Sequence, residues 1–336
     1  MKVLIAATLF VLAGLTPVIA DQVDVYEIAT DGVIDEIIPA GNHAVIRSRR
    51  SPLQSLRIRQ GAFTLEPYSG VQPATPERPD GSLPDGETAT GSGLIRRAWL
   101  SAPTTRYDHG VLGDGIEAGA VTAELSDGRV LTYTLPLDSV FEDRHPRIID
   151  INTDGTDEIL LVRSYLDRGA ALALISPDNN RLAITAEADP IGLPHRWLNP
   201  VGAGDFDNDS IVEIAAVITP HIGGTLQLYE MKGKRLIKDR SAFGFSNHQM
   251  GSRNLGLSLV ADLNGDQVPD IVVPDASRRN LLGISFRDGT YRELFRVPLN
   301  GTISAPLRSA DLDGDGRHEI IFGIAPNRLM VLCLHP

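Results

Sequence analysis

The sequence predicts an all-β fold, a single β-propeller, and three observations predict it. Four acidic segments repeat in register, their first aspartates 55, 57 and 49 residues apart. Short apolar runs of strand length flank each segment, and helical periodicity is nowhere sustained. A unit of about 50 residues holding several short strands reads as a propeller blade.

In chain order, the first element is a leader. Lys2 precedes an apolar run from Val3 to Leu15, Pro17 breaks it, and Val18-Ile19-Ala20 supplies the small residues that a signal peptidase reads. Residues 1–20 are therefore expected to be a secretory signal, and residues 21–336 a single propeller domain. The run is short for a bilayer core of about 30 Å, so no transmembrane segment is expected after cleavage. An exported protein of the periplasm or the medium follows from this reading.

Of the 336 residues, 42% are hydrophobic and 22% charged, ordinary material for a large core. Thirty-one Lys and Arg against 43 Asp and Glu give a net charge of -12, which argues against nucleic acid and against a basic membrane-binding surface. The single cysteine, Cys333, excludes an intrachain disulfide and any cysteine-based metal cluster.

Between residues 21 and 145 the repeat is degraded. Asp31-Gly-Val-Ile-Asp35 reads as a vestige of a short blade. Glu66 to Gly93, with five Pro and five Gly in 28 residues, reads as a loop insertion or flap. Tyr107-Asp108-His109-Gly110 and Leu112 to Glu117 read as a blade loop that has lost its acidic spacing, with no metal expected there.

From residue 145 the repeat is clear. Its acidic positions are Asp150, Asn152, Asp154 and Glu158; Asp205, Asp207, Asp209 and Glu213; Asp262, Asn264, Asp266 and Asp270; and Asp311, Asp313, Asp315 and Glu319. Each segment reads D-x-[DN]-x-D-x-x-x-[DE]-I. Oxygen donors at positions 1, 3, 5 and 9 of a tight loop suit a hard cation that takes six to eight oxygens, which points to Ca2+. An EF-hand would place its closing acid at position 12, where this chain has Leu161, Ala216, Val273 and Phe322. Position 6 favours glycine where the backbone needs a positive φ, so Ser210 and Gln267 predict weaker or distorted second and third sites.

These residues closely resemble the FG-GAP or VCBS repeat, the calcium-loop blade also found in integrin alpha-chain propellers, over residues 145–336. The resemblance implies a propeller with its calcium loops between the first and second strands of each blade. Repeat spacing around the circle gives six blades, or seven if a short blade precedes residue 100. The N-terminal segment is expected to supply the strand that closes the ring and so removes the open edges.

Loops between first and second strands share one face of such a disc. The other face would gather Arg106, Arg144, His145, His195, Arg196, Trp197, His248, Arg253 and Arg278, with His221 and Arg308 in the same set. In an acidic protein this face predicts a local positive basin for an anionic ligand. The favoured function is thus a non-catalytic binding or scaffolding module, expected to be monomeric, for an anionic peptide, glycan, protein or small ligand. The alternative is a propeller enzyme, lyase- or hydrolase-type, acting on an acidic polysaccharide through His, Arg and Tyr107. No nucleophile elbow, zinc-protease motif or P-loop supports catalysis.

Overall fold

A computed structural model describes residues 23–73 and 78–335, and the expected signal peptide lies outside them. The chain is all-β: among the described residues the only helical element is one 3₁₀ turn, Arg287–Gly289. No helix among them is long and apolar enough to cross a membrane.

After β1 (Val23–Ala29), the strands fall into four-stranded antiparallel units. The first holds β2 (Ile34–Pro39), β3 (Ala44–Ser48), β4 (Gln54–Arg59) and β5 (Ala62–Pro67). The second holds β6 (Ala89–Thr90), β7 (Ile95–Thr104), β8 (Glu117–Leu125) and β9 (Val130–Thr134). A short β10 (Ser139–Phe141) then leads to β11 (Arg147–Ile149), β12 (Glu158–Tyr165), β13 (Gly169–Asp178) and β14 (Arg181–Ala188), and pairs with both β8 and β12. The next unit is β15 (Leu198–Gly204), β16 (Glu213–Ile218), β17 (Thr225–Lys232) and β18 (Arg235–Phe243). It is followed by β19 (Leu259–Ala261), β20 (Asp270–Pro274), β21 (Asn280–Ser285) and β22 (Arg292–Pro298). Last come β23 (Arg308–Ala310), β24 (Glu319–Ile324) and β25 (Arg328–Leu334), and β1 completes this sheet. Val23 to Ala29 run antiparallel to Leu334 to Arg328, so the N-terminal strand covers the edge that β25 would otherwise expose.

Successive units pack face to face. Along β12, Leu160 and Val162 point into one apolar core with Ile214 and Tyr229 of the following unit. Ile159 and Leu161 point into another with Leu100 and Val121 of the preceding one. Side chains alternate across a strand, so a strand covered on both faces reads as an unbroken apolar run. The same division puts Ile320 and Phe322 of β24 in one core and Ile321 in the next. Among the described residues no such core joins the unit of β2 to that of β6.

Two features of the N-terminal third differ from the sequence reading. Within residues 66–93, read as a loop insertion, Ser82 bridges Ser101 and Ala89 and Thr90 pair with Ala98 and Arg97 of β7, while residues 83–88 between them form turn and loop. Leu83 is buried in the core there, which anchors this loop against the unit despite its prolines and glycines. In consequence, residues 105–116 connect the second and third strands of their unit, not the first and second. They are therefore not a degraded counterpart of the acidic loops, which connect first and second strands. Likewise Asp31 to Asp35 lead from β1 into β2, where they stand outside any such loop.

Candidate functional site

The four acidic loops share one backbone construction. The position-1 carboxylate accepts the amide of position 6: Asp150 from Gly155 at 2.9 Å, Asp205 from Ser210 at 3.0 Å, Asp262 from Gln267 at 2.8 Å and Asp311 from Gly316 at 3.1 Å. The position-9 acid accepts the amide of position 2: Glu158 from Ile151, Glu213 from Phe206, Asp270 from Leu263 and Glu319 from Leu312, at 2.7 to 3.1 Å. Position 6 has positive φ in every loop, 82° at Gly155, 72° at Ser210, 67° at Gln267 and 89° at Gly316. Ser210 and Gln267 thus adopt the glycine conformation, at a conformational cost, without opening their loops.

The carboxylates converge unequally. Asp205, Asp207, Asp209 and Glu213 bring oxygens within 4.8 Å of one another, as do Asp311, Asp313 and Asp315. The carboxylates of the first and third loops, which carry Asn152 and Asn264, form no such group among the described residues. The second loop, expected to be weaker because of Ser210, is therefore the most complete. Buried Glu213 Oε1 and Asp207 Oδ1 have no hydrogen-bond partner, and neither does Asp270 Oδ1 in the third loop. Unpaired buried carboxylate oxygens beside further carboxylates are what a cation would satisfy.

The loops are electrostatically crowded. Burial, followed by the neighbouring aspartates, pushes Glu213 up to about 8 and Glu158 and Glu319 to about 7, and burial pushes Asp270 to about 7. Arginines relieve some of this: Arg240 reaches Asp207 at 3.1 Å and Arg287 reaches Asp266 at 2.7 Å.

At the ends of the units opposite these loops lies a continuous polar cluster. His109 Nδ1 is 2.6 Å from Oε1 of Glu142, which is 0% exposed, and Ser164 donates to the other oxygen. Burial pushes the Glu142 pKa up, and the bonds from His109 and Ser164 pull against it. His195 stacks on His109 with centroids 5.1 Å apart, places Nε2 3.2 Å from Asp108, and donates its backbone amide to buried Tyr107 Oη. Trp197 is buried, donates Nε1 to the Glu142 carbonyl, and lies parallel to His221. His221 Nε2 is 2.9 Å from His248 Nδ1, and His248 Nε2 is 2.8 Å from the Ser252 carbonyl. Burial lowers both of these histidines to about 4, so they are neutral. A carbonyl only accepts, so His248 carries its proton on Nε2 and His221 donates to it.

The arginines expected to form a free basin are mostly occupied. Arg106 donates to the carbonyls of Ser139 and Pro136. Arg144 pairs with Asp85 and Glu87 and donates to the Arg253 carbonyl. Arg253 pairs with Asp114 and Asp85, and Arg278 donates to Ser246 Oγ and the His248 carbonyl. Arg196 alone of the predicted five has neither an ion pair nor a side-chain hydrogen bond among the described residues. The expectation of five arginines held together by a bound anion is thus corrected: carboxylates and carbonyls compensate four of them.

Glu142, the residue on which the cluster is centred, was missed in the sequence. It sits outside the acidic repeat, and its partner His109 is 33 residues away. Arg144, His145 and Arg253 contribute instead to a central cavity of about 680 Å³ whose walls also include Asp35, Arg147, Val201, Ser258 and Arg308, so that every unit reaches it or its rim. Burial and nearby Arg147 lower His145 to about 3.

No family model and no curated protein matches the chain. Among solved structures it is similar to the WD40 domain of Toxoplasma gondii coronin, at 11% identity and a TM-score of 0.41, over 94% of this chain and 90% of that one.

Proposed function

We propose that the chain is a six-bladed calcium-binding propeller, exported from the cell, that acts as a non-catalytic binding or scaffolding module. The observation that carries the metal assignment is the second loop. Four carboxylates converge there, and two buried oxygens, Glu213 Oε1 and Asp207 Oδ1, lack any partner. A hard cation accepts such oxygens without demanding strict geometry, which suits Ca2+ better than a nitrogen- or sulfur-seeking metal. The bound cations stabilise the ring, and the ligand, a peptide, glycan, protein or small anion, occupies the side away from the loops or the central cavity.

Calcium titration of the chelator-treated chain, followed by calorimetry and by melting temperature, tests this. A cation held only by the folded state raises the melting temperature with concentration. Coincident melting curves in calcium and in excess chelator would refute it.

One observation favours a second reading, an enzyme acting on an acidic polysaccharide. A buried carboxylate that orients a histidine, beside a buried tyrosine, is an arrangement used for proton transfer. Turnover of an acidic glycan that disappears in His109→Ala, with the calcium response intact, would select this reading over the binding module.

A further inference from the structure

Five arginines line the central cavity: Arg49, Arg144, Arg147, Arg253 and Arg308. Four have a carboxylate partner. Arg49 meets Asp35 at 2.8 Å, Arg144 meets Asp85 at 3.2 Å, Arg147 meets Asp143 at 2.7 Å and Arg253 meets Asp114 at 2.9 Å. Among the described residues Arg308 has none, and its guanidinium donates only to the carbonyl of its neighbour Leu307, at 2.9 Å. The acids whose fields reach it are engaged elsewhere, Glu87 with Arg144 at 3.2 Å and Glu36 with Arg47 at 2.8 Å.

The internal repeat shows what is missing. Arg147 and Arg308 occupy the same repeat position, three residues before the first aspartate of their loops. Four residues before Arg147 stands Asp143, its ion-pair partner; four before Arg308 stands Ser304. Ser304 lines the same cavity but offers Arg308 no counter-charge, and its hydroxyl is buried against Gly323.

We propose that Arg308 binds the carboxylate of a small organic anion, which supplies from outside the partner that Asp143 supplies to Arg147 from within. This rests on the binding-module reading and names its ligand class. An arginine does not shed its proton in a protein, so a half-buried guanidinium without a counter-charge stays uncompensated. Burial lowers the Arg308 pKa, the direction expected of a cation without a partner. Neutral His145 can bond a ligand without adding charge. Ile149, Leu160, Val201 and Leu255 give the cavity an apolar wall for the rest of the molecule, and its volume is that of a small-molecule site.

The test titrates benzoate and acetate, against chloride at matched ionic strength, into the calcium-saturated full chain and its Arg308→Met and Arg308→Lys variants. Binding is read by calorimetry and by melting temperature. Benzoate should bind more tightly than acetate and raise the melting temperature. Arg308→Met should weaken binding by about tenfold or more, and Arg308→Lys should retain part of it. In chloride alone, Arg308→Met should melt at or above the wild type, because an uncompensated cation has gone. Three results would each overturn the proposal: neither carboxylate bound at millimolar concentration, equal binding by the Met variant, or a Met variant melting well below the wild type in chloride. The last would make the Leu307 carbonyl bond the whole role of Arg308. Calcium response in the same samples is read separately, so failure of the metal reading and failure of the anion site are distinguishable.

Discussion

His109 Nδ1 and Glu142 Oε1 lie 2.6 Å apart although 33 residues separate them in the chain, and Glu142 has no exposed surface. Glu142→Ala leaves His109 and Ser164 without their shared acceptor and should cost about 3–5 kcal/mol of stability, measured by denaturant unfolding. Glu142→Gln keeps the shape but replaces one of the two acceptors by a donor; if the amide donor turns towards His109, the ring proton moves to Nε2. Nitrogen chemical shifts of His109 would report that change of tautomer.

The effect of calcium should depend on pH. In the metal-free chain Glu213 stands at about 8 and Glu158, Glu319 and Asp270 at about 7, all above the ordinary values of 4.5 for Glu and 3.8 for Asp. A carboxyl with a raised folded pKa holds its proton better when folded. Its contribution to stability is complete below the unfolded pKa and is lost as pH rises through the folded one. The metal-free chain should therefore lose stability from about pH 5 to pH 8. Calcium needs these groups ionised, so the rise in melting temperature that it produces should grow over the same window. A calcium increment that is flat with pH would contradict this.

The loops should rank by their convergence. Asp205→Ala removes one of four converging carboxylates, whereas Asp150→Ala acts on a loop whose carboxylates do not form a group. Calcium stoichiometry and the calcium-dependent melting shift should both fall more for Asp205→Ala. Equal losses would show that Asn152 serves as well as Asp207.

Removal of β1 should unmask the edge of β25. Seven residue pairs, from Val23 with Leu334 to Ala29 with Arg328, join the two strands. A chain beginning after Ala29 should melt earlier and self-associate through the freed edge, seen as a concentration-dependent mass in light scattering.

The strands after residue 145 and the acidic loops were legible in the sequence because their causes are local. Nine residues contain every donor of a loop, and the two faces of β12 appear as Ile159 to Val162 without a polar gap. Within the proline- and glycine-rich stretch at 66–93, tertiary burial adds what local pattern does not show: Leu83 packs in the core and Ala89 and Thr90 pair with β7. The candidate face was half legible. Its arginines and histidines could be gathered by counting strands, but their partners could not. Arg253 finds Asp114 at 139 residues' separation and Arg144 finds Asp85 at 59. Whether a guanidinium is free to hold a ligand depends on which distant carboxylate the fold carries to within about 3 Å of it. Sequence spacing determined the loops, because a loop's geometry is fixed by the few bonds that span it. Only the tertiary structure decided which charges were already neutralised, because Coulomb energy depends on distance in space and not along the chain.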